Sequence, residues 1–231
     1  MALIEYRNVT KLYKSFAALN GVNLDIPAGR IVGLLGPNGS GKTTLIKLTA
    51  GLLTPTAGTI TVDGHEPGPE TKAVVAYLPE KSYMSEWMTV DAFINYFADF
   101  YADFDRVKAN EMLLRLGIDP RRTLKTLSKG TKEKVQLVMV MSRAAKAYFL
   151  DEPIAGVDPA ARDYILNTII RNYSENASVI ISTHLIYDIE NVLDDVIFIR
   201  NGQIIIADSA DNVREQSGKS VDMLFREVFR C

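Results

Sequence analysis

Residues 36–43 constrain this chain more than any other feature of its sequence. They read Gly-Pro-Asn-Gly-Ser-Gly-Lys-Thr and match the phosphate-loop pattern GxxxxGK[ST] in full. The apolar run at residues 31–35 precedes the loop and predicts a buried strand, while residues 42–50 have the pattern of a helix. We therefore expect a strand, a loop and a helix that together bind the phosphates of a nucleotide.

The residues of this loop hold phosphates by different chemistry. Glycines let backbone N–H groups wrap closely around phosphate oxygens, and the N-terminus of the following helix adds the positive end of its dipole. Lys42 supplies a charge to the β- and γ-phosphates, and the Thr43 hydroxyl is a ligand for Mg²⁺. The predicted nucleotide-binding residues of the loop are Gly36, Asn38, Gly39, Ser40, Gly41, Lys42, Thr43 and Thr44.

Two adjacent carboxylates give a second chemical signal. Residues 148–152, Tyr-Phe-Leu-Asp-Glu, read as an apolar strand that ends in Asp151 and Glu152. Neighbouring side chains of a strand point to opposite faces, but the chain can turn at the strand's end and bring both toward the phosphates. We expect Asp151 to hold Mg²⁺ and Glu152 to orient or deprotonate the attacking water. The Asn/Thr-Lys-x-Asp signal of guanine recognition is absent, which favours ATP over GTP.

Composition and charge exclude several other classes of protein. The chain has 231 residues, 47% of them hydrophobic and 23% charged, which is ordinary for a globular protein with a sizeable core. A net charge of −2 without a long basic run gives no support to a nucleic-acid partner. The single cysteine, Cys231, and the shortness of the apolar runs lead us to expect a soluble protein of a reducing cytoplasm.

The pattern along the chain predicts an α/β fold with a helical insertion. Residues 3–9 and 22–26 read as strands, with a turn signal at residues 20–21 between them. Residues 89–117 are helical and rich in aromatic residues, a further helix covers residues 128–144, and strands and helices alternate again afterwards. We expect a P-loop NTPase core with a mixed sheet, flanking helices and an N-terminal antiparallel β part, plus an inserted helical subdomain.

The same pattern predicts one domain over residues 1–231. Residues 1–82 and 146–231 form the core in this prediction, and residues 83–145 form the helical subdomain. Most aromatic residues of that insertion are expected to fill its own interior. Tyr83, Met84 and Trp87 precede the helices in a polar stretch, so we expect them to be the interface residues for a partner.

Residues 127–131, Leu-Ser-Lys-Gly-Thr, resemble the signature motif of the ATP-binding cassette (ABC) ATPases, and the resemblance covers essentially the whole chain. In that family the segment begins a helix and meets the γ-phosphate bound to the opposite subunit. The resemblance therefore implies that Ser128 and Gly130 contact the partner's nucleotide. A helix N-terminus with a hydroxyl and glycine amides suits that task physically.

Three further positions match the family in order. Tyr13 lies where the family stacks an aromatic ring on adenine, although it also fits a tyrosine at a strand end. Residues 155–158, which end in Asp158, resemble the loop that crosses the dimer interface beside the catalytic glutamate. His184 follows an apolar strand, as Asp151 does, and resembles the switch histidine that touches the γ-phosphate. Both strands would then end at one crevice.

Two departures from the family pattern concern charge. Glu80 stands where the family usually has glutamine, and it could still reach Mg²⁺ or the attacking water through a carboxylate oxygen. Lys129 replaces a glycine of the signature, and Thr131 replaces its usual glutamine. Lys129 either adds positive charge toward the opposite nucleotide or faces solvent. Gly130, where close approach to a phosphate most needs a bare backbone, is kept.

The resemblance implies an ATP-hydrolysing subunit of a transporter, with ATP and Mg²⁺ in its site. The partners it implies are a second ATPase subunit, as a homodimer or a heterodimer, and an integral membrane permease as a separate chain. Such a protein would lie in the cytoplasm on the inner face of the cell membrane, held there by the permease. The variants at Glu80 and Lys129 resemble those of bacterial exporters. The alternatives are an ABC-type ATPase that acts on ribosomes or DNA, and a regulatory protein that binds ATP without cleaving it.

Overall fold

The computed structural model describes residues 2–154 and 159–229, without the side chains of residues 159–161. Residues 155–158, which were expected to form the loop that crosses the dimer interface and include Asp158, lie outside the described residues. The described residues of the chain form nine strands in two sheets, with helices around them. The strands are β1 (Ala2–Tyr13), β2 (Phe16–Pro27), β3 (Ile31–Leu35), β4 (Ala57–Val62), β5 (Val75–Leu78), β6 (Ala147–Asp151), β7 (Ser178–Thr183), β8 (Asp195–Arg200) and β9 (Gln203–Ser209).

The helices lie between these strands and after the last one. They are α1 (Lys42–Thr49), α2 (Pro69–Val74), α3 (Val90–Phe100), α4 (Arg106–Arg115), α5 (Lys129–Met141), α6 (Pro159–Asn172), α7 (Ile186–Ile189), α8 (Ala210–Ser217) and α9 (Val221–Val228). No helix within the described ranges combines the length and the apolar character needed to cross a bilayer.

The larger sheet has six strands in the order β5-β6-β7-β3-β8-β9. Its first five strands are parallel, and β9 joins as the antiparallel partner of β8. Strands such as β3 are buried along their whole length because the sheet is covered on both faces. Alternate residues of β6 accordingly belong to different apolar clusters, with Tyr148 on one face and Phe149 on the other. The mixed sheet confirms the predicted α/β fold.

The smaller sheet is antiparallel, with the order β2-β1-β4, as the predicted N-terminal β part requires. The turn expected at residues 20–21 is wrong. Gly21 lies inside β2 with a φ of 65°, at a β-bulge. Between the partners of Val9 and Lys11, strand β2 contains one residue more than β1 does. The actual hairpin turns after Tyr13, where Lys14 takes a φ of 55°.

Helices α3, α4 and α5 all lie between β5 and β6, where the helical insertion was expected. Each begins at a polar residue whose side chain accepts a backbone N–H: Thr89, Asp105 and Ser128. Their apolar faces share one cluster with the larger sheet. The division of the chain into core and subdomain stays a prediction.

Other differences from expectation are local. Helix α2 was not predicted; it begins at Pro69, and proline suits the first turn of a helix. Helix α8 was not predicted. Met84 is buried in the apolar cluster, so its assignment to an interface is wrong, whereas Trp87 is 79% exposed. Met84 packs in the apolar cluster that the insertion shares with the larger sheet, and the sequence alone did not reveal this burial.

Candidate active site

The ends of β3, β6 and β7 lie side by side at one edge of the larger sheet. Beyond them opens a cavity of about 470 Å³, here called the P-loop cavity. Most of the predicted site residues line it together with two that were not predicted, Phe16 and Ala18. The predicted residues in its walls are Tyr13, Asn38, Gly39, Ser40, Gly41, Lys42, Thr43, Thr44, Glu80, Asp151, Glu152 and His184.

The glycines of the loop have different structural roles. Gly41 precedes α1 with a φ of 115°, and a Cβ atom there would lie 2.7 Å from the backbone oxygen of Ala18. Gly36 does not line the cavity. A Cβ atom on it would lie 2.4 Å from the backbone oxygen of Ile199, so Gly36 lets the loop pack onto β8. Both positions require glycine for the fold of this chain itself.

Lys42 rests on the loop that surrounds it. Its Nζ donates to the backbone oxygens of Gly36, at 2.7 Å, and Pro37, at 3.2 Å. Burial lowers the pKa of the Lys42 ammonium, and the carboxylates of Glu152, Asp151 and Glu80 partly offset this. The ammonium group is therefore a buried cation at the floor of an otherwise open cavity, where it suits an anionic phosphate.

Asp151 ends β6 as a buried carboxylate, only 1% exposed. Burial raises its pKa, while the hydroxyls of Thr43 and Ser182 lie near enough to lower it in part. Neither carboxylate oxygen makes a hydrogen bond of good geometry to any group in the described part of the chain. A buried carboxylate without a partner beside a threonine hydroxyl fits a magnesium ion, which prefers oxygen ligands.

The described residues contain no cluster of three histidine, cysteine or acidic side chains that could hold a metal ion alone. Magnesium beside nucleotides is bound by one or two protein ligands together with phosphate oxygens and water. Thr43, Asp151 and Glu80 all line the P-loop cavity. Their oxygen atoms fit a magnesium ion that also binds the phosphates of a nucleotide.

Glu152 is the residue at which the chain turns. Its φ is 52°, a left-handed conformation that is uncommon outside glycine, and its backbone N–H donates to the oxygen of Ser182 at 2.8 Å. This turn lets Asp151 and Glu152 line the same cavity although they are adjacent. His184, at the end of β7, places its Nδ1 3.0 Å from both carboxylate oxygens of Glu152. The two predicted catalytic residues are thus in contact.

Two aromatic rings flank the entrance of the cavity. Tyr13 and Phe16 stand on either side of the β1–β2 turn, and both are exposed. The Nζ of Lys11 lies 5.5 Å from the centre of the Tyr13 ring. An exposed apolar ring beside a phosphate-binding loop suits stacking on a flat base. Sequence reasoning missed Phe16, although an aromatic residue three positions after Tyr13 was a usable signal.

The signature segment lies elsewhere. Ser128 caps α5, where its Oγ accepts the backbone N–H of Thr131 at 3.2 Å. Neither Ser128 nor Gly130 lines the P-loop cavity. Gly130 is exposed in the first turn of α5, and a Cβ atom on it would meet no described atom within 4 Å. Lys129 is 83% exposed at its side chain and lies 3.9 Å from Glu133, one helical turn further on.

A second, larger cavity of about 920 Å³ is lined by residues of α3 and of the core, and is here called the aromatic groove. Its walls carry exposed rings, among them Tyr83, Tyr96 and Phe100, the last 69% exposed. Lysines line it as well: Lys47, Lys72 and Lys81. The groove shares Thr43, Glu80 and Asp151 with the P-loop cavity.

Comparison with known proteins gives concordant results. A family model described as ABC transporter matches residues 19–155. YxlF of Bacillus subtilis (strain 168), named as an uncharacterised ABC transporter ATP-binding protein, is 30% identical over 225 residues, which cover 95% of this chain and 75% of that protein. SkfE of the same organism, named as a SkfA peptide export ATP-binding protein, is 30% identical over 211 residues, covering 89% and 88%.

One solved structure, of the ATP-binding subunit of an ABC transporter, superimposes with a TM-score of 0.87 and 29% sequence identity. The match covers 99% of this chain and 100% of that one. The likeness therefore extends through both sheets and the helical insertion.

Proposed function

This chain belongs to the ABC transporter family, and on that premise we propose that it hydrolyses ATP at sites that two copies of such a subunit build together, to drive a separate membrane permease. ATPases of this family bind and hydrolyse ATP, and they work as dimers with membrane permease partners. The observation that carries the residue assignment is the turn at Glu152, which brings two adjacent carboxylates and His184 to the phosphate loop.

The phosphate half of the site holds the substrate. Lys42 and the loop's backbone N–H groups bind the β- and γ-phosphates, since the buried ammonium group gains an anionic partner there. Thr43, Asp151 and Glu80 provide the oxygen ligands for magnesium, which neutralises phosphate charge when it is bound. Tyr13 stacks on the adenine, with Phe16 beside it at the entrance.

The catalytic pair acts on the attacking water. Glu152 orients the water and accepts its proton as the oxygen attacks the γ-phosphorus, and the bond to the bridging oxygen breaks to release ADP and phosphate. His184 touches both oxygens of Glu152, so it fixes the direction of that carboxylate. Both residues disfavour the alternative of a protein that binds ATP without cleaving it.

The signature residues of each subunit complete the nucleotide site of the other subunit. Glycine in the first turn of a helix is less stabilising than alanine, by up to about 1 kcal/mol. Nothing described in this chain crowds Gly130, so its own packing gives no reason for a missing side chain. The close approach of a phosphate on a second subunit does. Ser128, Gly130 and Asp158 would close on that nucleotide, and hydrolysis would remove the contact that holds the two subunits together.

The composite site is tested on the Glu152→Gln variant, which should bind ATP, lose turnover by roughly 10²-fold or more and stay trapped as an ATP-dependent dimer. Adding Gly130→Val should abolish that dimer in size-exclusion chromatography while the monomer binds ATP with unchanged affinity. The added side chain fits in the monomer because the space around the Cβ position of Gly130 is open.

Two controls separate the possible failures of this experiment. Glu111→Val places the same side chain on the exposed face of α4 and should leave the trapped dimer intact. Lys42→Ala should lose ATP binding itself. A dimer that survives Gly130→Val would contradict the composite site, and wild-type turnover in Glu152→Gln would contradict the catalytic assignment.

The permease is expected to dock in the aromatic groove. The groove offers exposed rings for an apolar segment and lysines for acidic side chains, and it shares Glu80 with the P-loop cavity. A segment docked there would respond to the γ-phosphate through Glu80. Docking on a membrane chain would place this subunit at the inner face of the cell membrane, in the cytoplasm. Export is the favoured direction because SkfE carries peptide export in its name.

The docking proposal is tested by purifying the tagged chain from detergent-solubilised membranes. Wild-type protein should bring a multi-span membrane protein with it, and Phe100→Asp should lose that protein because a charge then replaces an exposed ring of the groove. Tyr187→Asp changes an equally exposed ring outside the groove and should retain the partner. Recovery with ribosomes or DNA instead would favour the other alternative, to which the relatives named above give no support.

A further inference from the structure

One face of α5 is polar where it meets the core. Lys129, Lys132, Glu133 and Gln136 are spaced by three and four residues, so they lie along one side of the helix. This side forms a wall of a third cavity of about 470 Å³, here called the α5 cavity. Across it lie the loop that carries Glu80 and the end of β6 with its carboxylates.

Two buried polar atoms on this wall have no hydrogen-bond partner among the described residues. Gln136 is only 3% exposed, and its Nε2 finds no hydrogen-bond partner among the described residues. Oε2 of Glu133 is also buried and unpaired within the same residues. A buried donor without an acceptor costs about 1–3 kcal/mol. An apolar side chain of the same length would avoid this cost, so the amide of Gln136 points to a hydrogen bond formed in another conformation.

Glu80 is the acceptor that can come to this donor. The oxygens of Glu152 already contact His184, and Asp151 is fixed at the end of β6. Glu80 instead lies on an exposed loop between β5 and α3, outside regular structure, and it lines the P-loop cavity, the aromatic groove and the α5 cavity alike. A small movement of this loop can therefore carry its carboxylate from one cavity to another.

We propose that Gln136 is a positioning residue that captures the carboxylate of Glu80 and so ties α5 to the loop beside the nucleotide. The inference rests on the role proposed for Glu80 above. Helix α5 begins at Ser128 and Gly130, which close on the partner's ATP. The hydrogen bond thus reports the partner's nucleotide to the site of this chain, through one rigid helix.

A double-mutant cycle on the full chain tests the contact. Gln136→Met keeps the length of the side chain and removes its donor, so the melting temperature should stay or rise. The turnover number for ATP should fall roughly tenfold, the effect of losing one hydrogen bond to a charged group, while KM for ATP is unchanged because Gln136 does not line the P-loop cavity. In a Glu80→Ala background, the same change should cost nothing further.

The outcomes distinguish a failure of the Gln136–Glu80 contact from a failure of the role proposed for Glu80. Wild-type turnover in Glu80→Ala would overturn the role of Glu80, whereas an impaired Glu80→Ala beside an unimpaired Gln136→Met would overturn the contact alone. Equal losses in both backgrounds would also overturn it. Gln136→Glu should be impaired by two facing carboxylates and rescued by Glu80→Gln, even if Gln136→Met destabilises the fold. Ser142→Ala, a buried polar change at the other end of α5, should leave turnover unchanged.

Discussion

The P-loop and the first turn of α5 both carry glycines, but for different reasons. At Gly36 and Gly41 a side chain would collide with the backbone of β8 or β2, at 2.4 and 2.7 Å. At Gly130 it would meet no described atom within 4 Å. The P-loop therefore needs Gly36 and Gly41 to fold, whereas Gly130 has no such need within its own chain. This difference agrees with the proposed contact between Gly130 and the nucleotide of a second subunit.

Alanine at these two kinds of position should give opposite results. Gly41→Ala places a Cβ atom against Ala18 at a φ of 115°, and should destabilise the protein by about 2–5 kcal/mol. Gly130→Ala removes a poor helix former from an exposed turn, and should stabilise it by up to about 1 kcal/mol. Thermal unfolding of the nucleotide-free chain measures both.

Activity should separate them again. Gly130→Ala should lose ATP turnover although its melting temperature is kept or raised, because the added methyl group would stand between the two subunits of the proposed dimer. A Gly130→Ala protein that is as active as the wild type, or one destabilised as strongly as Gly41→Ala, would remove the distinction between the two segments.

The sequence could predict which residues meet in the P-loop cavity because the signals for them are local. A loop pattern between a strand and a helix, and two carboxylates at a strand end, depend on neighbours in the chain. The contact of His184 with Glu152 depends on β7 lying beside β6, which the motifs implied only through the family. The turn at Glu152 was expected in outline, and its φ of 52° gives the form of that turn.

The parts that were missed depend on packing between distant segments. Phe16 reaches the P-loop cavity because a hairpin brings it beside Tyr13, and the true turn of that hairpin was not recognised. Met84 reads as part of a polar stretch but is buried beneath the helical insertion. Gln136 reads as one polar residue in a helix, and only the arrangement of α5 against β6 shows that its amide is buried.

Charge sharpens the comparison, with a smaller effect. The P-loop half contains Asp151, a buried carboxylate without a partner in the described residues, while the charge at the start of α5 is the exposed Lys129. Burial raises the pKa of folded Asp151 above that of the unfolded chain, about 3.9, so the folded state holds this proton to higher pH. The nucleotide-free protein should therefore lose stability as the pH rises from about 4 through the raised pKa.

Asp151→Asn should abolish that loss and raise the stability of the nucleotide-free chain by about 1 kcal/mol at neutral pH, a shift of roughly 2–4 °C in melting temperature. Thermal unfolding at a series of pH values measures it. Asp119 is the matched control, since its hydrogen bond from Arg121 lowers the pKa of its exposed carboxyl. Asp119→Asn should change the pH dependence with the opposite sign. If Asp151→Asn instead lowered stability at neutral pH, the carboxylate would have partners in the nucleotide-free protein. The argument that Asp151 is an unpartnered carboxylate suited to magnesium would then fail.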